Sequence, residues 1–363
     1  MNKRVCKLLS LIGIVLISVL ATNDAFAKED NVLGYTVSPV QPKTQIDPEK
    51  SYFYVKTVPN ESQTLEVRVQ STKKEEVHLK IYGVSAYTGN EGTIEYTNDL
   101  SDKDETLKVP VTNMIKIDTP DITVGNFEEK TVKIQLTPPK ESYAGVKMGG
   151  IVFALDKGKE DKGVSTEYSY KIGLMMAENG DEFNNGENLK LNSVKASMTR
   201  GKKMVLATLQ NPDPKVLENL NMVATMTKKG SGEVIKEKTV QNYRMAPNSH
   251  FDFEMDWGIS NLPSGDYTLN INAKNYNKEW NLTKDFTITN EQAKKINEES
   301  VFKIITPTWL KVISVMLFVC TIALVVVQFA RRKKWEKAWK RLRIAKKKKK
   351  SKRNRVSKKQ EKR

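Results

Sequence analysis

The chain carries two histidines, His78 and His250, and two cysteines, Cys6 and Cys320. These residue types build most metal centres and nucleophilic dyads. Cys6 lies in the basic start of the chain and Cys320 in an apolar run near its C-terminal end, leaving no cysteine in the stretch that holds the histidines, so a His/Cys metal site and a Cys-His dyad are excluded. His78 falls on the outward face of a strand pattern and His250 in a turn-like Pro-Asn-Ser-His run, and both read as solvated histidines. No Gly-x-Ser-x-Gly elbow or comparable signature accompanies them, so no Ser-His-Asp triad is assigned. The acids Asp99, Asp102, Asp104 and Glu105, and the pair Asp181-Glu182, sit in polar, turn-like runs without the ligand order of a calcium loop. They read as solvated loops. Any glycosidase-like carboxylate pair would depend on spatial separation, which sequence does not carry. The chain is therefore expected to be non-enzymatic, with no catalytic residue, no metal and no cofactor. Tyr82, Tyr87 and Tyr96 could stack on sugar rings, because a flat apolar face with a polar tip suits that contact; cross-strand packing is the plainer role.

The elements that would position these side chains are strands. Residues 64 to 70 (TLEVRVQ) put Leu65, Val67 and Val69 on one face and Glu66, Arg68 and Gln70 on the other. Residues 76 to 84 (EVHLKIYGV) follow with Val77, Leu79 and Ile81 inward, and the two runs read as a hairpin. Ile94 and Tyr96 follow a turn at residues 89 to 92. Residues 131 to 136 bury Val132, Ile134 and Leu136, and residues 149 to 155 (GGIVFAL) have the continuous apolar look of an inner strand. A polar stretch at 156 to 166 reads as a linker or a long loop. Strand signals resume at 168 to 176, 189 to 198, 204 to 210, 220 to 227, 251 to 257, 267 to 273 and 280 to 289. The fold class is all-β: two tandem immunoglobulin-like β-sandwich domains followed by a single C-terminal transmembrane α-helix. Their expected spans are 28 to 158 and 159 to 290. Residues 291 to 308 are expected to form a short helical stalk, with Asn290 as its N-cap.

The ends of the chain set its compartment. Residues 1 to 27 have a basic start, an apolar run at 8 to 21 and Ala25-Phe26-Ala27, the pattern of a signal peptide cleaved between Ala27 and Lys28. No cysteine follows the run, which argues against a lipid-anchored form, and the exported part has no cysteine for a disulfide. Residues 309 to 330 (WLKVISVMLFVCTIALVVVQFA) are long enough to cross a hydrocarbon core of roughly 30 Å. Trp309 is expected at the outer interface, with Arg331 and Arg332 at the inner one. The whole chain has a net charge of +17, yet residues 331 to 363 hold 20 Lys and Arg against Glu336 and Glu361. The body is therefore near neutral and offers no basic footprint for nucleic acid. By the positive-inside rule the basic tail is cytoplasmic and the sandwiches are extracellular. A sortase signal is the competing reading, but no LPxTG-like pentapeptide precedes the span; Leu262-Pro263-Ser264-Gly265 lies far upstream and lacks the Thr.

Several ordered motifs carry a family resemblance. YTVSPVQPKTQIDPEKSYFYVKTVPNESQTLEVRV at 35 to 69, SAYTGNEGTIEY at 85 to 96 and PPKESYAGVKMGGIVF at 138 to 153 resemble the first ectodomain module of the WxL-interacting proteins of Gram-positive bacteria. YSYKIGLMMAEN, LQNPDP, MAPNSHFDFEMDW, LPSGDYTL and EWNLTKDFTITNEQAKKIN are similar to that family's second module. The resemblance implies a peptidoglycan-associated first module, a second module linked to host extracellular-matrix components, and partnership with WxL-domain surface proteins. Residues 85 to 88 read Ser-Ala-Tyr-Thr where the family more often has Ala-Thr-Thr, and 143 to 145 read Tyr-Ala-Gly where Phe-Asp-Gly is common. Any ligand specificity set by these loops would differ here.

The leading reading is a cell-surface adhesion and scaffold protein anchored through residues 309 to 330. A rival places the working end in the tail: Trp335, Trp339 and Leu342 at i, i+4 and i+7 could lie along an anionic leaflet and serve signalling or complex assembly. A wall hydrolase is the third possibility, without a motif to support it.

Overall fold

The computed structural model describes residues 33 to 156, 168 to 180, 183 to 304 and 307 to 360. The expected signal peptide and its Ala27–Lys28 cleavage junction, the polar stretch from 157 to 167 and the Asp181-Glu182 pair lie outside the described residues.

Residues 33 to 301 fold around two successive cores, each enclosed by two sheets. In the first, β1 (Tyr35–Val40), β3 (Gln63–Ser71), β8 (Glu129–Leu136) and β6 (Ile115–Ile117) pair in that order. The facing sheet runs β2 (Phe53–Lys56), β10 (Ser169–Ala177), β9 (Lys147–Leu155), β4 (Val77–Thr88) and β5 (Ile94–Thr97), with β7 (Asp121–Val124) also on β4. The alternating residues meet as the period-two pattern requires: Leu65, Val67, Val132, Ile134, Leu79, Ile81, Ile151 and Phe153 are all buried in one cluster. Tyr35 is buried among them and donates its hydroxyl to the Phe153 carbonyl at 2.6 Å. Burial pushes that phenol up to about 12.

Two expectations about pairing are corrected. The runs at 64 to 70 and 76 to 84 are not a hairpin: β3 pairs with β1 and β8, while β4 pairs with β9, β5 and β7 in the opposite sheet. Both strands point their apolar side chains into one core, and alternation reports the buried face without naming the neighbour. The strand at 168 to 176, expected to open the second sandwich, instead completes the first as β10, antiparallel to β9 and parallel to β2.

The second core lies between β11 (Lys190–Thr199), β12 (Lys202–Asn211) and β15 (Ser249–Asp256) on one side, and β14 (Val234–Met245), β13 (Leu217–Lys228), β16 (Gly265–Lys274) and β17 (Glu279–Ile288) on the other. β14 carries no apolar alternation in the sequence because its side chains are mostly exposed or half-exposed and polar. It is an edge strand whose open side is occupied by its own lysines. Lys238 donates to the Glu254 carbonyl at 2.8 Å over the Phe253 ring, and Lys236 lies 5.6 Å from the Trp257 ring. Such inward lysines blunt an edge against further pairing.

Helix α1 (Asn290–Glu299) is not a free stalk. Its cap is Thr289, not Asn290, and Thr289 and Gln292 form a reciprocal capping box. Ala293 and Ile296 are buried in the second core. The chain then turns back on the β11–β12 connection, where Ser300 Oγ and the Val301 amide both donate to the Gly201 carbonyl at 3.0 Å. Considered by itself, the last unit contains helix α2 (Thr308–Gln360), 53 residues long, whose first part is apolar and long enough to cross a membrane. Trp309 stands in its first turn; Arg331 and Arg332 follow the apolar stretch, Arg332 pairing with Glu336 at 3.8 Å.

Candidate ligand-binding cleft between the sandwiches

The two sandwiches meet through short polar contacts. The β4–β5 turn at residues 89 to 92 leans on β14: the Arg244 amide donates to the Gly92 carbonyl at 2.8 Å, and the Tyr243 ring lies where a Cβ on Gly92 (φ +68°) would stand, 2.0 Å away. Gly145 (φ +67°) meets the Pro214 carbonyl, 2.2 Å from a hypothetical Cβ, while the next amide, Val146, donates to that same carbonyl at 2.8 Å. Neither glycine could carry a side chain without parting the sandwiches.

At the end of β4 a chain of hydroxyls crosses the junction. Ser249 donates to the Ala246 carbonyl (2.7 Å) and the Ala246 amide donates to Thr88 Oγ1 (3.0 Å), so the Thr88 hydroxyl donates to Ser249 Oγ at 2.5 Å. Both hydroxyl residues are buried. Asn90 donates to Glu254 Oε1 at 3.2 Å, and the same carboxylate pairs with Arg200.

Beside this seam Asp104, 5% exposed, reaches from the loop after β5 into the second sandwich. Its Oδ1 accepts from the Thr106 amide (2.8 Å) and hydroxyl (2.6 Å); Gln210 Nε2 spans both oxygens at 3.0 Å, and Oδ2 accepts from His250 Nδ1 at 2.9 Å. Burial opposes its ionisation, but the hydrogen bonds from Thr106, Gln210 and His250 outweigh that cost and hold its carboxyl below the usual range. An ionised carboxylate only accepts, so His250 donates from Nδ1, and its Nε2 lies 3.4 Å from Asp102 Oδ1.

Asp102, Asp104, His250, Thr88 and Ser249 all line a cleft of about 490 Å³, walled by the end of β4, the 97 to 107 loop, β11, β12 and the start of β15. The sequence reading of His250 as a solvated turn residue is corrected: it lies in β15, hydrogen-bonded to a buried acid. Asp104 is likewise no solvated loop acid, whereas Asp102 is 95% exposed. No periodicity marks these residues, since their role is fixed by two distant segments meeting. His78 does lie outward on β4, its Nδ1 2.9 Å from Thr123 Oγ1.

The three tyrosines do not form one platform. Tyr82 and Tyr96 share the outer face of the β4 sheet and pack beside Val84, Val152 and Ala154. Lys171 Nζ sits 3.9 Å from the Tyr96 ring centroid, a cation–π contact. Burial raises the Tyr96 phenol, with Arg244 opposing. Tyr87 projects from the other face into the cleft and donates to Glu95 Oε2 at 2.6 Å. That bond, with burial and the nearby negative charge, pushes Tyr87 up to about 12, so it stays a donor. Among the described residues, no group of three or more His, Cys, Asp or Glu is arranged to hold a metal ion.

The arrangement is that of a binding protein: two β-sandwiches locked edge to end around a polar recess. Residues 35–154 match the peptidoglycan binding domain of the WxL Interacting Protein family and residues 159–298 its host binding domain, and the chain belongs to that family. The second match begins before β10, although β10 is hydrogen-bonded into the first sandwich. No curated protein matches the chain. Among solved structures, the class 5 fimbriae chaperone CfaA shares 14% identity, with a TM-score of 0.27 over 69% of this chain and 98% of that one. The Escherichia coli chaperone DraB shares 15%, with a TM-score of 0.25 over 65% and 94%.

Proposed function

We propose that the protein is a non-enzymatic scaffold of the cell surface. In this reading the first sandwich holds peptidoglycan, while the second takes up host extracellular-matrix components and WxL-domain proteins. α2 is the membrane anchor, with Trp309 outside and Arg331, Arg332 and the basic tail inside. The observation that carries the reading is the pair of family domains in tandem, held to each other by buried hydrogen bonds. A rigid tandem on one tether presents two weak sites together, and the second engagement becomes intramolecular.

Full-length protein in detergent, mixed with purified peptidoglycan and a soluble WxL-domain protein, tests this directly. Co-sedimentation of all three is expected, with more WxL protein pelleted than in the absence of the scaffold. Sedimentation of neither would end the proposal. Protease protection on intact cells checks the orientation, the tail from 331 onward being the protected part.

A second reading draws on α2, which continues unbroken from the apolar stretch through the basic segment and exposes Trp335, Trp339 and Leu342. A helical basic tail of this kind suits assembly or signalling at an anionic inner leaflet. Removing residues 346 to 363 separates the two: unchanged surface binding with a lost cellular response favours the tail.

A further inference from the structure

The tandem-domain reading leaves open where a wall polymer would sit. The cleft between the sandwiches encloses about 490 Å³, within the range of roughly 300–1,000 Å³ usual for ligand sites, which favour domain junctions. Three of its properties define an occupant.

Its shape is fixed in advance. Asp104 and His250 line the cleft, and the buried Asp104 carboxylate is held in place by donors from Thr106, Gln210 and His250 behind the surface. The wall behind it is the Thr88–Ser249 seam. A site already ordered by its own hydrogen bonds loses little entropy on binding.

Its walls mix hydrogen-bonding groups with one exposed flat ring. Asn248 offers its amide oxygen, the nitrogen being donated to Pro212, Thr97 and Ser101 offer hydroxyls, and Tyr87 offers exposed ring surface, whereas the lining ring of Phe251 is buried in the second core. A sugar ring displays the complementary surface, hydroxyls around its edge and C–H groups on its face, and an N-acetyl group adds one amide donor and one acceptor.

Its charge selects among polymers. The lining holds Asp99, Asp102, Asp104 and Asp252 against Lys103 and Lys195. A chain bearing a phosphate on each repeat would meet like charge there, while an uncharged amino-sugar strand would not.

We infer that this cleft is the saccharide site of the protein, and that it takes a neutral, N-acetylated amino-sugar strand with side chains from both matched domains in contact. The inference rests on the peptidoglycan-binding reading and adds to it that the first domain alone holds only part of the site.

The test uses full-length protein in detergent with three probes: phosphate-stripped insoluble peptidoglycan, an N-acetylglucosamine tetrasaccharide, and polyglycerol phosphate. Ser101→Trp fills the mouth from an exposed loop position, Asp102→Lys inverts charge at an exposed position, and Tyr82→Ala alters the opposite sheet face. Wild type is expected to bind the first two probes. Ser101→Trp lowers both affinities at least tenfold with an unchanged Tm, Asp102→Lys raises polyglycerol phosphate retention at least tenfold, and Tyr82→Ala stays within twofold. Wild-type peptidoglycan binding that Ser101→Trp leaves intact overturns the cleft while the broader reading survives. Loss with Tyr82→Ala but not Ser101→Trp moves the site to the outer tyrosine face. An Asp102→Lys protein that still excludes the phosphate polymer removes the charge argument. Wild type that fails to bind peptidoglycan at all sinks the underlying reading together with this one.

Discussion

The interiors of the sandwiches and the seam between them are held by different physics. Inside, Leu65, Ile134 and Phe153 are buried in the first core and Leu269 and Phe253 in the second, and stability follows apolar area removed from water. At the seam the contacts are a hydroxyl relay, a buried carboxylate and two glycines that admit a neighbouring ring or carbonyl. The first kind of interaction tolerates changes of pH; the second depends on protonation and on the absence of a methyl group. A cell-surface protein built this way has robust domains and a junction that a few specific polar contacts hold in one arrangement.

The largest effect is expected inside. Phe153→Ala removes a fully buried ring from the centre of the first core and should cost about 3–5 kcal/mol, read as a fall in the denaturant midpoint. The seam should break more gently. Asp104→Asn keeps the shape but replaces a charged acceptor by an amide facing Gln210 and His250, and a loss of about 2–3 kcal/mol is expected. Its pH dependence gives the sign. The carboxyl of Asp104 is depressed in the folded state, so its contribution is complete above the unfolded value of 3.8 and disappears as pH falls through its own lower pKa. Thermal unfolding of wild type and Asp104→Asn should therefore differ at pH 6 and converge as pH is taken below 3.8; a gap constant with pH would refute the assignment.

Smaller changes sharpen the contrast. Gly145→Ala places a methyl against the Pro214 carbonyl at positive φ, a penalty of roughly 1–2 kcal/mol. Because that contact joins the sandwiches, small-angle scattering should show a more extended particle with both domains still folded. Tyr35→Phe deletes only the hydroxyl that reaches Phe153 and should cost about 1 kcal/mol, with no change at the seam.

How much of this could be read from the sequence follows the same division. Leu65, Val67, Val69, Val132, Ile134 and Leu136 declare their buried face by alternation, and the structure buries all six. The central position of the 149 to 155 strand was equally plain, since a strand covered on both faces has no polar side to show. Pairing was not legible: β3 and β4 are adjacent in the chain and separate in space, and β10 joins the sandwich before the polar stretch instead of the one after it. β14 was missed because an edge strand facing solvent loses its apolar stripe. Of the cleft, Tyr87 alone was singled out for binding. His250 and Asp104 are 146 residues apart, and nothing local to either announces the other.

The fastening of α1 has a mechanical consequence. Residues 300 and 301 are tied to Gly201, and Ala293 and Ile296 are seated in the core just before them. A pull on the C-terminal side would reach these few bonds before any long strand ladder of the sandwich. They would yield one after another, not in concert as a sheared ladder does. The helix is thus a shock absorber: under load it should pay out a short length of chain first, a step that force spectroscopy would record ahead of domain rupture and that Ile296→Ala should shift to lower force.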